Sequence, residues 1–114
     1  MKSKIHKATV TEANLNHTDS ITIDEDLMKM VNLKQYENVL VVNNTSGARL
    51  ETFAEKGKRG SGIVSANGAA SHLMKKGDEI IIMSFTWTNK KFIPKAILVD
   101  KENKFVEFLE GGVF

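Results

Sequence analysis

The chain contains no cysteine and a single proline, Pro94. Without thiols, a disulfide scaffold, a cysteine-based zinc site and a cysteine nucleophile are all excluded. The same lack suits a reducing compartment. Long apolar runs are missing too: stretches such as Ile80 to Met83 fall far short of the ~20 residues that a membrane-spanning helix needs. The opening, MKSKIHKATV, is basic and has no apolar stretch of signal-peptide length behind it. A cytoplasmic domain with no membrane partner is therefore expected. Nor does one sign of charge dominate. Sixteen Lys plus Arg against fourteen Asp plus Glu leave +2, too little to call for nucleic acid. His6, His17 and His72 show no i, i+4 pairing and no carboxylate at ligand spacing, so no metal site is expected.

What is present fits one ordinary globular domain over residues 1–114. Hydrophobic residues make up 41% and charged residues 26% of the 114, which rules out wholesale disorder. A chain of this size buries roughly two-thirds of its unfolded surface, enough for one core.

Turn signals recur at short intervals and predict many short elements. Strands are expected at Ile5 to Val10, Ser20 to Ile23, Asn38 to Val42, Ala48 to Ala54, Ile63-Val64, Glu79 to Thr86, Lys95 to Val99 and Lys104 to Leu109. Asn43 to Gly47 turns the first hairpin and Asp100 to Asn103 the last. Acidic Asp24-Glu25-Asp26 opens a short helix whose apolar residues Leu27, Met30 and Val31 recur at i, i+3 and i+4. A second helix is expected over Ala69 to Lys76 with Gly77 as its C-cap. Gly111-Gly112 reads as a loose tail. The sum is mainly β with two short helices, and a small closed barrel is the natural way to remove that many strand edges.

Lys56 to Gly62 (KGKRGSG) tempts a phosphate-binding interpretation. It has neither the P-loop order nor G-x-G-x-x-G, so a mobile, solvated basic loop is expected. The lysine-rich turns, with Phe85, Trp87 and Phe92 near Lys90-Lys91, carry no RNA-binding motif, and no nucleic-acid partner is expected. There is no G-x-S-x-G elbow.

Multi-residue segments in a fixed order carry more information. They are Lys4 to Thr11 (KIHKATVT), Glu12 to Asn16 (EANLN), Ser20 to Leu27 (SITIDEDL), Asn43 to Thr52 (NNTSGARLET), Gly57 to Gly62 (GKRGSG), Asn67 to Ala70 (NGAA) and Gly77-Asp78. Together they resemble the pyruvoyl-dependent aspartate 1-decarboxylases of bacteria over most of the chain. The resemblance implies a double-psi β-barrel, a homotetramer with active sites between subunits, and decarboxylation of L-aspartate to β-alanine for pantothenate synthesis.

It also implies a role for Ser20. Its hydroxyl would attack the preceding carbonyl, cutting the chain between Asp19 and Ser20 into a small chain, 1–19, and a large chain, 20–114. The serine would become a covalent pyruvoyl group that forms a Schiff base with the substrate, without metal or pyridoxal phosphate. By the same resemblance Thr52 assists cleavage and contacts substrate, while Lys4 and Arg49 face the substrate's carboxylates. Asn67 orients the pyruvoyl carbonyl, and Gly68, Ala69 and Ala70 line the substrate site. A two-pronged guanidinium–carboxylate contact contributes ~1.5–3 kcal/mol net. Arg49 is expected on the carboxylate that stays, because holding the one that leaves would slow its loss.

Three positions depart from the family pattern. Asp19 replaces the glycine before the serine, and slower cleavage is expected. His17 replaces a tyrosine two residues earlier. Phe53 stands where the family has a tyrosine that protonates the carbanion, so His17, water or another hydroxyl is expected to take over as donor. These departures also motivate an alternative: a poorly processed, catalytically silent barrel that binds or regulates.

Overall fold

The computed structural model describes residues 1–110. The expected Gly111-Gly112 tail lies outside them. Nine strands form: β1 (Ser3–Thr9), β2 (Glu12–Asn14), β3 (Ser20–Asp24), β4 (Asn38–Asn43), β5 (Arg49–Gly57), β6 (Val64–Asn67), β7 (Glu79–Ser84), β8 (Lys95–Val99) and β9 (Phe105–Phe108). Helix α1 covers Glu25–Met30, and a 3₁₀ segment covers Gly68–His72. Among the described residues no helix is long and apolar enough to cross a membrane.

The strands lie in the order β2-β6-β3-β5-β4-β7-β1-β8-β9. That row closes on itself because β1 and β2 are one bent stretch of chain. Its first half pairs antiparallel with β7 and its second half parallel with β6. The join is stitched by Val10 N–H to the Asp78 carbonyl at 2.9 Å and Thr11 N–H to the Val64 carbonyl at 2.8 Å. The bend starts at a bulge between Ile5 and Ala8, where Lys7 takes φ +63°. An extra residue in one strand bends it in just this way. β8 runs parallel to β1 outside the ring and returns as a hairpin with β9.

Alternation explains the core. Val39 and Val41 of β4, Ile80 and Ile82 of β7, Ile21 and Ile23 of β3, and Val64 and Ala66 of β6 all point inward and are buried. Leu27 and Met28 of α1, with Val31 and Leu33 after it, plug one end. Asp24 caps α1, its carboxylate accepting from Asp26 N–H at 2.9 Å.

Three expectations change. Of the loop expected over Lys56 to Gly62, Lys56 and Gly57 belong to β5, and Lys58 to Gly62 is held, not mobile. Buried Asp24 accepts from Gly60 N–H at 3.0 Å and Gly62 N–H at 2.9 Å, and Lys104 donates to the Gly60 carbonyl at 2.6 Å. A carboxylate thus occupies the amides that a phosphate would need. The second helix stops at His72, so Gly77, at φ +93°, serves a turn and donates to Val10, not to a helix end. β2 is an element that the strand pattern did not predict, since all three of its residues are exposed.

Candidate active site

Where β3 meets β6, the antiparallel register sets Ser20 opposite Asn67 and Thr22 opposite Ser65. Ile21 and Ile23 of β3 face the core, so Ser20 and Thr22 share the outer face. Ser20, Asn67 and Ser65 are nevertheless buried. Their polar atoms are shared within the group. The Asn67 amide nitrogen donates to Ser20 Oγ at 3.0 Å and Thr22 Oγ1 at 2.8 Å, while Ser65 Oγ donates to Asn67 Oδ1 at 2.9 Å. Ser20 Oγ itself donates to the Thr18 carbonyl at 3.1 Å. The hydroxyl is therefore fixed in direction, one hydrogen bond in and one out.

The segment before Ser20 is gripped from two further elements. Thr52 of β5, buried, donates to Asp19 Oδ2 at 3.0 Å. Ala70 N–H donates to Asp19 Oδ1 at 3.1 Å. Gly68, at φ +64°, presses against the same segment: a Cβ there would lie 2.5 Å from the His17 carbonyl oxygen and 2.8 Å from Asp19 N. Only glycine fits both the dihedral and the approach.

The family model for aspartate decarboxylase matches residues 1–106. The chain belongs to the aspartate decarboxylase family. Among its relatives, the aspartate 1-decarboxylases of Bacillus thuringiensis (strain Al Hakam) and Bacillus cereus (strain B4264) are each 50% identical across 96% of this chain and 89% of their own length. A solved structure, the computationally designed msDPBB_sym2 protein, matches with a TM-score of 0.51 at 20% identity, covering 66% of this chain and 95% of the design. That design is a double-psi β-barrel, and the likeness shows the same fold here.

Of the residues that the aspartate decarboxylase pattern singles out, the fold gathers Ser20, Thr52, Asn67, Gly68 and Ala70 into the cluster around Asp19. Ala69 is exposed beside it. Phe53 precedes Ala54, the ladder partner of Ile21, and so falls level with Ser20, half-exposed on the outer face. His17 is exposed, its Nδ1 3.2 Å from the Thr18 carbonyl that also accepts from Ser20. Arg49 shares the face of Phe53 but lies four residues up β5, ~13 Å along the strand. Lys4 is buried on β1, separated from β5 by β4 and β7. Burial lowers its pKa from the usual lysine value.

Ser65 and Thr22 are site residues that motif reasoning missed, as are the hydrogen bonds of the Asp19 side chain. The i, i+2 spacing of Ser65 with Asn67, and of Thr22 with Ser20, was the available signal, since it places each pair on one face. Among the described residues no group of three or more His, Asp or Glu side chains could hold a metal ion. Nor is Asp19 among the described non-glycine residues with positive φ, which are Lys7, Asn32, Tyr36 and Asn103. Glycine is not needed at position 19 for its dihedral.

Proposed function

We propose that this chain decarboxylates L-aspartate to β-alanine and CO2, after cutting itself between Asp19 and Ser20 into residues 1–19 and 20–114. The observation that carries the proposal is the Ser20 hydroxyl, buried and aimed by Asn67 and Thr18 beside a clamped peptide. Half identity to curated aspartate 1-decarboxylases over nearly the whole chain supports the substrate. A β-alanine product suits pantothenate synthesis in the cytoplasm.

The residues present fit a pyruvoyl group at position 20. It would stay within reach of the Asn67 amide, whose N–H can donate to a carbonyl oxygen as it now donates to the hydroxyl. When formed, that group supplies a conjugated ketone able to accept the electron pair that departing CO2 leaves behind. The rest falls to the chain's own side chains. Asn67 holds position 20 in one orientation. Thr52 and the Ala70 N–H offer hydrogen bonds to a carboxylate, as they do to Asp19. Gly68 and Ala69 leave room for close approach to the backbone.

Arg49 and Lys4 supply positive charge for a diacid. Because Arg49 is exposed and far up β5 from Ser20, it serves a site completed by a neighbouring copy in a homotetramer. Exposed Phe85, Trp87, Ile93 and Phe108 on one chain support such an assembly. Phe53 has no proton to give, so His17 next to the Ser20 turn returns the proton to the product carbanion.

Intact mass of the purified chain under denaturing conditions, together with a β-alanine assay, tests this. Two fragments and turnover of aspartate are expected, and Ser20→Ala should leave one full-length species with no activity. A wild-type chain that stays whole and inactive would instead favour the silent barrel. His17→Gln should lower turnover without changing cleavage; unchanged turnover removes His17 from the proton step.

A further inference from the structure

Cleavage at Ser20 makes a demand on the surroundings of the Asp19 carbonyl. Ser20 Oγ bonds to the carbonyl carbon, and the carbonyl oxygen becomes negative in the tetrahedral intermediate. The C–N bond then breaks as the nitrogen takes up a proton, leaving an ester. Elimination across the Cα–Cβ bond of residue 20 releases the Asp19 α-carboxylate. Hydrolysis of the remaining enamine consumes one water and releases ammonia. Water is the only co-reactant. The costly point is the oxyanion, which must be met by hydrogen-bond donors.

Two donors reach the Asp19 side chain from outside its own segment, the Thr52 hydroxyl and the Ala70 N–H. Both are spent on its carboxylate, at 3.0 Å and 3.1 Å. A threonine hydroxyl has one proton and a backbone amide has one, so neither can serve a carbonyl oxygen at the same time. The carboxylate also sets a negative charge beside the place where another must develop. Since the backbone at position 19 does not need glycine, the side chain's effect lies in these hydrogen bonds.

We infer that the Asp19 side chain is a brake on cleavage of its own peptide, drawing the Thr52 hydroxyl and the Ala70 N–H away from the oxygen that becomes negative. Asp19 is in this sense a positioning residue acting through Thr52. The inference rests on the cleavage proposed above.

The test follows fragment formation by intact mass in freshly translated full chain. Wild type is compared with Asp19→Ala, Asp19→Gly, Thr52→Val and the double variant Asp19→Ala/Thr52→Val, with a melting curve for each. Releasing a hydrogen bond to a charged group is worth roughly tenfold or more in rate, so both single Asp19 variants should cleave that much faster. The gain over Thr52→Val should shrink in the double variant to what the freed Ala70 N–H alone supplies; a side chain that merely ordered the loop would show no such dependence on Thr52. Unchanged or slower cleavage in folded Asp19→Ala and Asp19→Gly overturns the inference alone, as does a gain that is undiminished without Thr52. No fragment from any variant after prolonged warming overturns the cleavage proposal and the brake with it.

Discussion

Strand β3 carries an aspartate at each end, and the two do opposite things. Asp24, its last residue, is 2% exposed and accepts from three backbone amides, those of Asp26, Gly60 and Gly62. It ties a helix start and a glycine-rich loop to the barrel, far from any reacting bond. Asp19, just before the first residue, is only partly buried and accepts from one amide and one hydroxyl. Its partners belong to the neighbourhood of the peptide that Ser20 would attack. The same carboxylate, similarly ligated, is structural where its donors have no other use and restrictive where they do.

The contrast is sharpest in stability. Asp24→Ala strands three amides, two of them on the glycine-rich loop, and should cost ~3–5 kcal/mol in urea unfolding. Asp19→Ala should cost under ~1 kcal/mol, because water can replace what a half-buried side chain gave. Equal losses would break the distinction. Gly68→Ala should fall between them at ~2–3 kcal/mol, since a methyl group would push into the His17 carbonyl at a positive φ. Its fragment yield should drop as well, because the displaced segment contains the scissile bond. Asn67→Ala, which frees Ser20, Thr22 and Ser65 together, should lower stability by ~1–2 kcal/mol and slow cleavage. A variant that unfolds more easily but cleaves at the normal rate would detach Asn67 from the reaction.

The smallest effect concerns His6. Burial first, then Lys4 and Lys7, lowers its pKa below the usual 6.5. Its Nδ1 is buried without a hydrogen-bond partner among the described residues, so a second ring proton has no acceptor there. The unfolded chain then binds a proton that the folded chain refuses. Stability should fall as pH drops through about 6.5 towards the lowered value, and be unaffected by this group above it. His6→Gln should flatten that part of the unfolding profile.

Most of the fold was legible. Polar and β-branched apolar residues alternate in β3, while β4 and β7 are short apolar runs bounded by turn signals, and the β4–β5 and β8–β9 hairpins are announced by polar turns. β2 escaped because it buries nothing; its place is fixed by pairing with β6, which is a property of the closed ring and not of Glu12-Ala13-Asn14. The second helix was drawn too long because Ala70 and Met74, both buried, mimic a helical step while the chain between them turns. For the site, ordered motifs named Ser20, Thr52, Asn67, Gly68 and Ala70. They could not show that the side chain of Asp19, read only as a replacement for the family's glycine, takes up the hydrogen bonds of Thr52 and Ala70.

The bent stretch that closes the ring has a practical consequence. Residues 3–14 lie between β7 and β8 at one end and against β6 at the other, all of which belong to the larger piece. A nick at residue 19 would leave the shorter peptide wedged like the last stave of a cask. Gel filtration and native electrophoresis would register an intact particle, and only a denaturant would let the two pieces part.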